Sequence, residues 1–157
     1  MKIGILSDSH DNLPNIISAV KIFNSSKVDF VLHAGDFVAP FTVPRLEQLR
    51  CRWLGVFGNN DGEKKGLFEK SKGKIRNPPL RINLGGRDIT IVHDMAALKG
   101  RKRQGQVIIF GHTHKPSIKS LGRKLLINPG ECCGWLSGKP SIAILDLEKL
   151  KAKIIAI

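Results

Sequence analysis

The feature that most constrains this chain is a repeated punctuation, in which a short apolar run breaks off into a few residues drawn from Asp, His, Asn and Gly. It occurs five times. The run at residues 3–6 stops at Ser7-Asp8-Ser9-His10, residues 30–33 lead to Gly35-Asp36, and residues 53–57 lead to Gly58-Asn59-Asn60-Asp61. The run ending at Val92 stops at His93-Asp94, and residues 107–110 stop at Gly111-His112-Thr113-His114. A brief apolar run bounded by turn residues reads as a buried strand running into a loop.

Between the first runs the period changes. Leu13, Ile16, Ile17, Val20 and Phe23 recur at helical spacing, with Asn12 as a cap and Pro14 tolerated in the first turn. Residues 43–49 form a second expected helix. Strand and helix in alternation predict an α/β fold with a parallel sheet. The second half changes character. Residues 80–84 and 88–92 flank Gly85-Gly86, a two-residue hairpin signal, and further strands are expected at 117–120, 124–127, 141–147 and 153–157.

With 157 residues, 41% of them hydrophobic and 25% charged, the chain suits one domain spanning 1–157 that folds without a structural metal or disulfides. Three cysteines, Cys51, Cys132 and Cys133, lack CxxC spacing, which argues against a thiolate zinc site and fits a reducing cytoplasm. No apolar run is long enough to cross a membrane. The 26 Lys and Arg against 13 Asp and Glu leave a net charge of +13, which favours anionic partners, polymeric nucleic acid among them.

In an α/β sheet the carboxyl ends of strands meet at one edge, so the five motifs can converge there. Extended residues at i and i+2 point the same way, which pairs Asp8 with His10 and His112 with His114. Any one motif alone is ordinarily a cap or a turn, and His33, inside a strand, is assigned to structure. Together Asp8, His10, Asp36, Asn59, His93, His112 and His114 offer carboxylate, amide and imidazole donors in excess of one cation's needs. Two divalent ions sharing a carboxylate would use them all, the device that hydrolyses phosphate esters. Without thiolates the set suits Mn²⁺, Fe, Co²⁺, Ni²⁺ or Zn²⁺, and geometry, not raw affinity, chooses among them.

From Asp8-Ser9-His10 through Gly58-Asn59-Asn60-Asp61 and Gly111-His112-Thr113-His114 to Asn128-Pro129-Gly130-Glu131-Cys132-Cys133-Gly134, the sequence resembles the calcineurin-like metallophosphoesterases, in particular the small single-domain phosphodiesterases of bacteria and archaea. The resemblance implies a four-layer αββα sandwich and a phosphodiesterase in which a hydroxide bridging two metals attacks the ester. It also implies that Asp8, His10, Asp36 and His114 hold one metal and Asp36, Asn59, His93 and His112 the other, with Asp61 supporting them from behind. Two positions depart from the pattern. Asn60 stands where many relatives carry a proton-donating His, and Asp94 stands where a Gly usually follows the late metal-binding His. Asn60 is still expected at the substrate, and Lys99, Arg101, Lys102 and Arg103 are expected to flank the site and attract an anionic phosphodiester, a nucleotide included. Rival readings are a catalytically idle scaffold of the same fold and a nuclease. Seven retained ligands argue against the scaffold, and seven Phe, two Trp and no Tyr offer few stacking platforms to a nuclease. A homo-oligomer is compatible with the sequence.

Overall fold

The computed structural model describes residues 1–100 and 105–157. Two sheets face each other. The first runs β11-β10-β1-β2-β3-β4 and the second β5-β6-β7-β9-β8, where β1 is Lys2–Leu6, β2 Phe30–His33, β3 Arg52–Val56, β4 Ile75–Arg76, β5 Leu80–Leu84, β6 Arg87–Ile91, β7 Val107–Ile109, β8 Ser117–Leu121, β9 Lys124–Asn128, β10 Ser141–Asp146 and β11 Lys151–Ala156. Strands β1 to β4 are parallel, as the alternation of elements predicts, and β10 and β11 extend that sheet antiparallel. The Gly85-Gly86 hairpin joins β5 to β6, and β6, β7 and β9 are parallel to one another.

Alternation along each strand divides the apolar residues between two cores. Ile3, Ile5, Leu32 and Val56 meet Ile89, Ile91, Ile109 and Ile127 between the sheets. Leu6, Val31 and Trp53 face the opposite way, onto Ile16, Val20 and Phe23 of helix α1, Leu13–Ser25. Asn12 caps that helix, its side-chain oxygen accepting from the Asn15 N–H. The outer face of the second sheet is covered more thinly: among the described residues, the 3-10 turn Met95–Leu98 packs over Val92, Ile108 and Phe110. Among the described residues this turn is what stands in the outer helical layer expected there.

Two local expectations change. The helix expected over 43–49 is a 3-10 turn at Pro40–Thr42 and a four-residue α2 at Val43–Leu46, while helix α3, Lys64–Lys70, and strand β4 were not foreseen. Helix α3 buries only Leu67, so its sequence carries no apolar stripe. No helix among the described residues is long and apolar enough to cross a membrane.

Candidate metal centre

The five polar motifs follow the C-terminal ends of β1, β2, β3, β6 and β7, and the structure brings them to one edge of the two sheets. Their backbone differs from the extended conformation expected. Asp8 (φ 51°), His10 (38°), Asp36 (60°), His112 (65°) and His114 (59°) are all left-handed. The strands have ended, and the turns at Asp8, His10, Asp36 and His112 send backbone N–H groups across to a neighbouring loop. The Ser9 and His10 N–H groups donate to the Asp36 carbonyl, and the His112 N–H donates to the Asp8 carboxylate. Such conformations are costly for residues other than glycine and gather at functional sites. The crossings leave no room for side chains at two glycines: a Cβ on Gly58 would strike Asp36 and one on Gly111 would strike Ser7.

Asp36 lies between two groups of histidines. On one side its Oδ2 stands 3.4 Å from His10 Nε2, and Asp8 Oδ1 stands 3.5 Å from His114 Nε2. One ligating atom from each of Asp8, His10, Asp36 and His114 falls within 4.8 Å of the others. On the other side Asp36 Oδ2 is 3.3 Å from His93 Nε2, and Asn59 Oδ1 is 2.8 Å from both His93 Nε2 and His112 Nδ1. All seven candidate ligands are therefore together.

The donor set fits divalent cations on both sides. His10 Nε2 is buried with no hydrogen-bond partner among the described residues. His93 Nδ1 lies 2.9 Å from the Ala34 carbonyl and His114 Nδ1 lies 2.8 Å from Glu131 Oε2, so a neutral ring at either position carries its proton on Nδ1. That turns the lone pair of each Nε2 toward carboxylate oxygen, acceptor against acceptor, an arrangement a cation between them satisfies. The titrations carry the same tension. When His93 is itself protonated it relieves that opposition: burial alone would raise the Asp36 carboxyl, but hydrogen bonds from the charged His93 and from Asn60, with the charge of His93, hold it well below the usual range. His93 is raised despite its burial, through Asp36, while burial raises Asp8.

A second tier of side chains fixes the first. Buried Asp61 accepts N–H bonds from Val38 at 2.7 Å, Gly58 at 2.7 Å and Asp36 at 3.2 Å, tying the β2 and β3 loops together. Asn60 grips Asp36, its backbone N–H donating to Oδ1 at 2.8 Å and its amide to Oδ2 at 2.7 Å. His33 is structural: its Nδ1 accepts from the Gly35 N–H, its Nε2 faces Ser9 Oγ at 3.0 Å, and burial pushes its pKa down to about 3. Asp94 caps the following 3-10 turn by accepting from the Ala96 N–H. Arg101, Lys102 and Arg103 lie outside the described residues.

Glu131 has no role in the sequence reading. It is buried, with an oxygen on His114 Nδ1, and it also accepts from the N–H groups of Leu136 and Ser137 and from the Cys133 thiol. Burial would raise its pKa, but the bonds from Ser137, His114 and Leu136 bring it down to about 2. A lone acid in an otherwise uncharged stretch, 128–138, was the available signal. Cys132 is packed in the core and Cys133, its thiol pushed up to about 12 mainly by burial, turns its Sγ toward His10 and His114.

Two stacked mixed sheets with a cluster of carboxylates and imidazoles where their strands end define a metal-dependent phosphoesterase architecture. The chain belongs to the calcineurin-like phosphoesterase superfamily, whose domain it matches over residues 1–150. It is 41% identical over 157 residues to phosphodiesterase MJ0936 of Methanocaldococcus jannaschii, with 95% of each chain covered. Among solved structures an archaeal phosphodiesterase superposes over the whole of both chains with a TM-score of 0.93 at 39% identity. Vps29 of Entamoeba histolytica, solved with Zn²⁺, shares the fold at a TM-score of 0.71 and 21% identity, covering 100% of this chain and 98% of its own.

Proposed function

We propose that this chain is a single-domain phosphodiesterase working with two divalent ions, Mn²⁺ or Ni²⁺ foremost, held by Asp8, His10, Asp36 and His114 on one side and by Asp36, Asn59, His93 and His112 on the other. The observation that carries this reading is the position of Asp36, whose Oδ2 stands 3.4 Å from His10 Nε2 and 3.3 Å from His93 Nε2. Divalent ions supply Lewis acidity, lower the pKa of water and stabilise developing charge on a phosphoryl oxygen. The protein's share is positioning. Asp61 fixes the backbone around Asp36, Asn60 fixes its carboxylate, and Glu131 fixes His114.

Asn60 also bears on the substrate. A carboxamide has no proton to give at neutral pH, and here it is engaged with Asp36. The departing oxygen therefore leaves without a positioned acid at this residue, and positioned acids contribute about 10²–10⁴-fold. Aryl phosphodiesters, whose leaving groups are stable anions, are expected to be cleaved far faster than alkyl diesters. The idle-scaffold reading finds support only in the likeness to Vps29, which is one of fold.

The experiment joins metal content to turnover. Protein saturated with Mn²⁺ should hold two ions per chain by elemental analysis and hydrolyse diesters with a steep dependence on leaving-group pKa. Asp36→Asn should lose ions from both sides and all turnover while staying folded. Full activity in that variant, or a single ion in the wild type, would refute the dinuclear reading, and a flat leaving-group dependence would refute the role given to Asn60.

A further inference from the structure

The net charge of +13 is not explained by the metal centre, and part of it is concentrated in one place. A groove of about 580 Å³ starts at the N-terminal end of β3 and follows its outer edge, lined by Arg50, Arg52, Lys72, Lys74 and Arg76 with Trp53 between them. Strand β4 pairs only with Gly55 and Val56, so the Arg52–Leu54 stretch borders the groove with no neighbouring strand on that side among the described residues.

Three of the five cations are set in place. The Arg52 guanidinium lies 5.9 Å from the centre of the Phe30 ring, the Lys74 ammonium lies 5.2 Å from that of Trp53, and Arg76 Nε donates to the Gly73 carbonyl at 3.1 Å. Lys74 has a carboxylate partner in Glu47. Arg50, Arg52, Lys72 and Arg76 form no ion pair among the described residues, and the nearby Asp29 accepts from the Lys2 N–H. Like charges confined to one groove repel one another, and an anion placed among them reverses the sign of that energy. Guanidinium groups match phosphate oxygens in particular.

We infer that this groove is a second anion site, separate from the metal centre, which binds a linear chain of phosphate groups such as the backbone of a single-stranded nucleic acid. The rings of Phe30 and Trp53 are buried beneath Arg52 and Lys74, so no aromatic face is open for base stacking. Binding is through phosphates and independent of base sequence.

The test uses the full chain loaded with Mn²⁺ and fluorescein-labelled dT20, read by anisotropy across a salt series. One variant changes Arg50, Arg52, Lys72 and Arg76 to Gln. A control with the same loss of charge changes the exposed Lys21, Lys65, Lys119 and Lys153 to Gln. The groove variant should bind about 30-fold more weakly or worse at 50 mM salt, with a slope of log affinity against log salt shallower by about 3, while the control stays near wild type. Displacement of dT20 by inorganic polyphosphate at equal phosphate concentration identifies the phosphate chain alone as the ligand, and failure to displace identifies the nucleic acid backbone. Equal losses in the two variants would reduce the effect to net charge and overturn the proposal, as would no binding by the wild type. Hydrolysis of a small aryl diester should be unchanged in the groove variant, which separates this outcome from a failure of the metal centre.

Discussion

The Asp8 side and the Asn59 side of the centre share Asp36 but are held differently. On the first, Asp8 and Asp36 are 0% and 1% exposed, and His114 is clamped from behind by a buried carboxylate. On the second, Asn59 and His112 are both exposed and meet each other through a neutral amide oxygen. Affinity for a hard divalent cation follows anionic charge and fixed geometry. The comparison teaches that, of the two ions proposed, one should be a resident and the other an exchangeable visitor.

The largest effect expected from this asymmetry is at Asp8. Asp8→Asn should lower turnover by about 1000-fold, the several kcal/mol that a well-held ion supplies, and excess Mn²⁺ should not restore it. Asn59→Ala should weaken binding of one ion by at least the roughly 10-fold that even supporting groups are worth, and millimolar Mn²⁺ should restore much of its activity. If the two variants respond alike to added metal, the asymmetry is wrong. Glu131→Gln sharpens the comparison further. Its amide oxygen can keep a loop N–H while its NH₂ faces His114, so affinity on the Asp8 side should drop about 10-fold with little change in Tm, measured by calorimetric titration with Mn²⁺. The smallest effect belongs to Asn12, which caps α1 and also donates to the Cys133 carbonyl at 2.8 Å. Asn12→Ala should cost about 1 kcal/mol in urea unfolding and leave metal stoichiometry at two.

What the sequence made legible follows from how local each signal is. Helix α1 shows its apolar stripe, cap and proline within one stretch, and the hairpin at Gly85-Gly86 is equally self-contained. The seven candidate ligands could be found because strand ends converge by topology whatever the details of the loops. The left-handed backbone at Asp8 and His112 could not, since it depends on a cross-loop bond between residues 104 apart. The hold of Glu131 on His114 and of Asn60 on Asp36 was hidden for the same reason: the partners are near in space and well apart in sequence. Strand β4 is only two residues long and leaves no periodicity to read.

The left-handed residues have a consequence for how this protein tolerates change. Each of Asp8, His10, Asp36, His112 and His114 holds a backbone conformation that costs about 1 kcal/mol or more outside glycine. Glycine would relieve that cost and discard the side chain. The edge of the sheets is therefore a place where durability and catalysis select opposite residues, and a search for thermostable variants made without regard to activity should drift toward glycine at these positions. The proposed ions would oppose that drift, because binding to the folded state alone adds stability that grows with the logarithm of metal concentration.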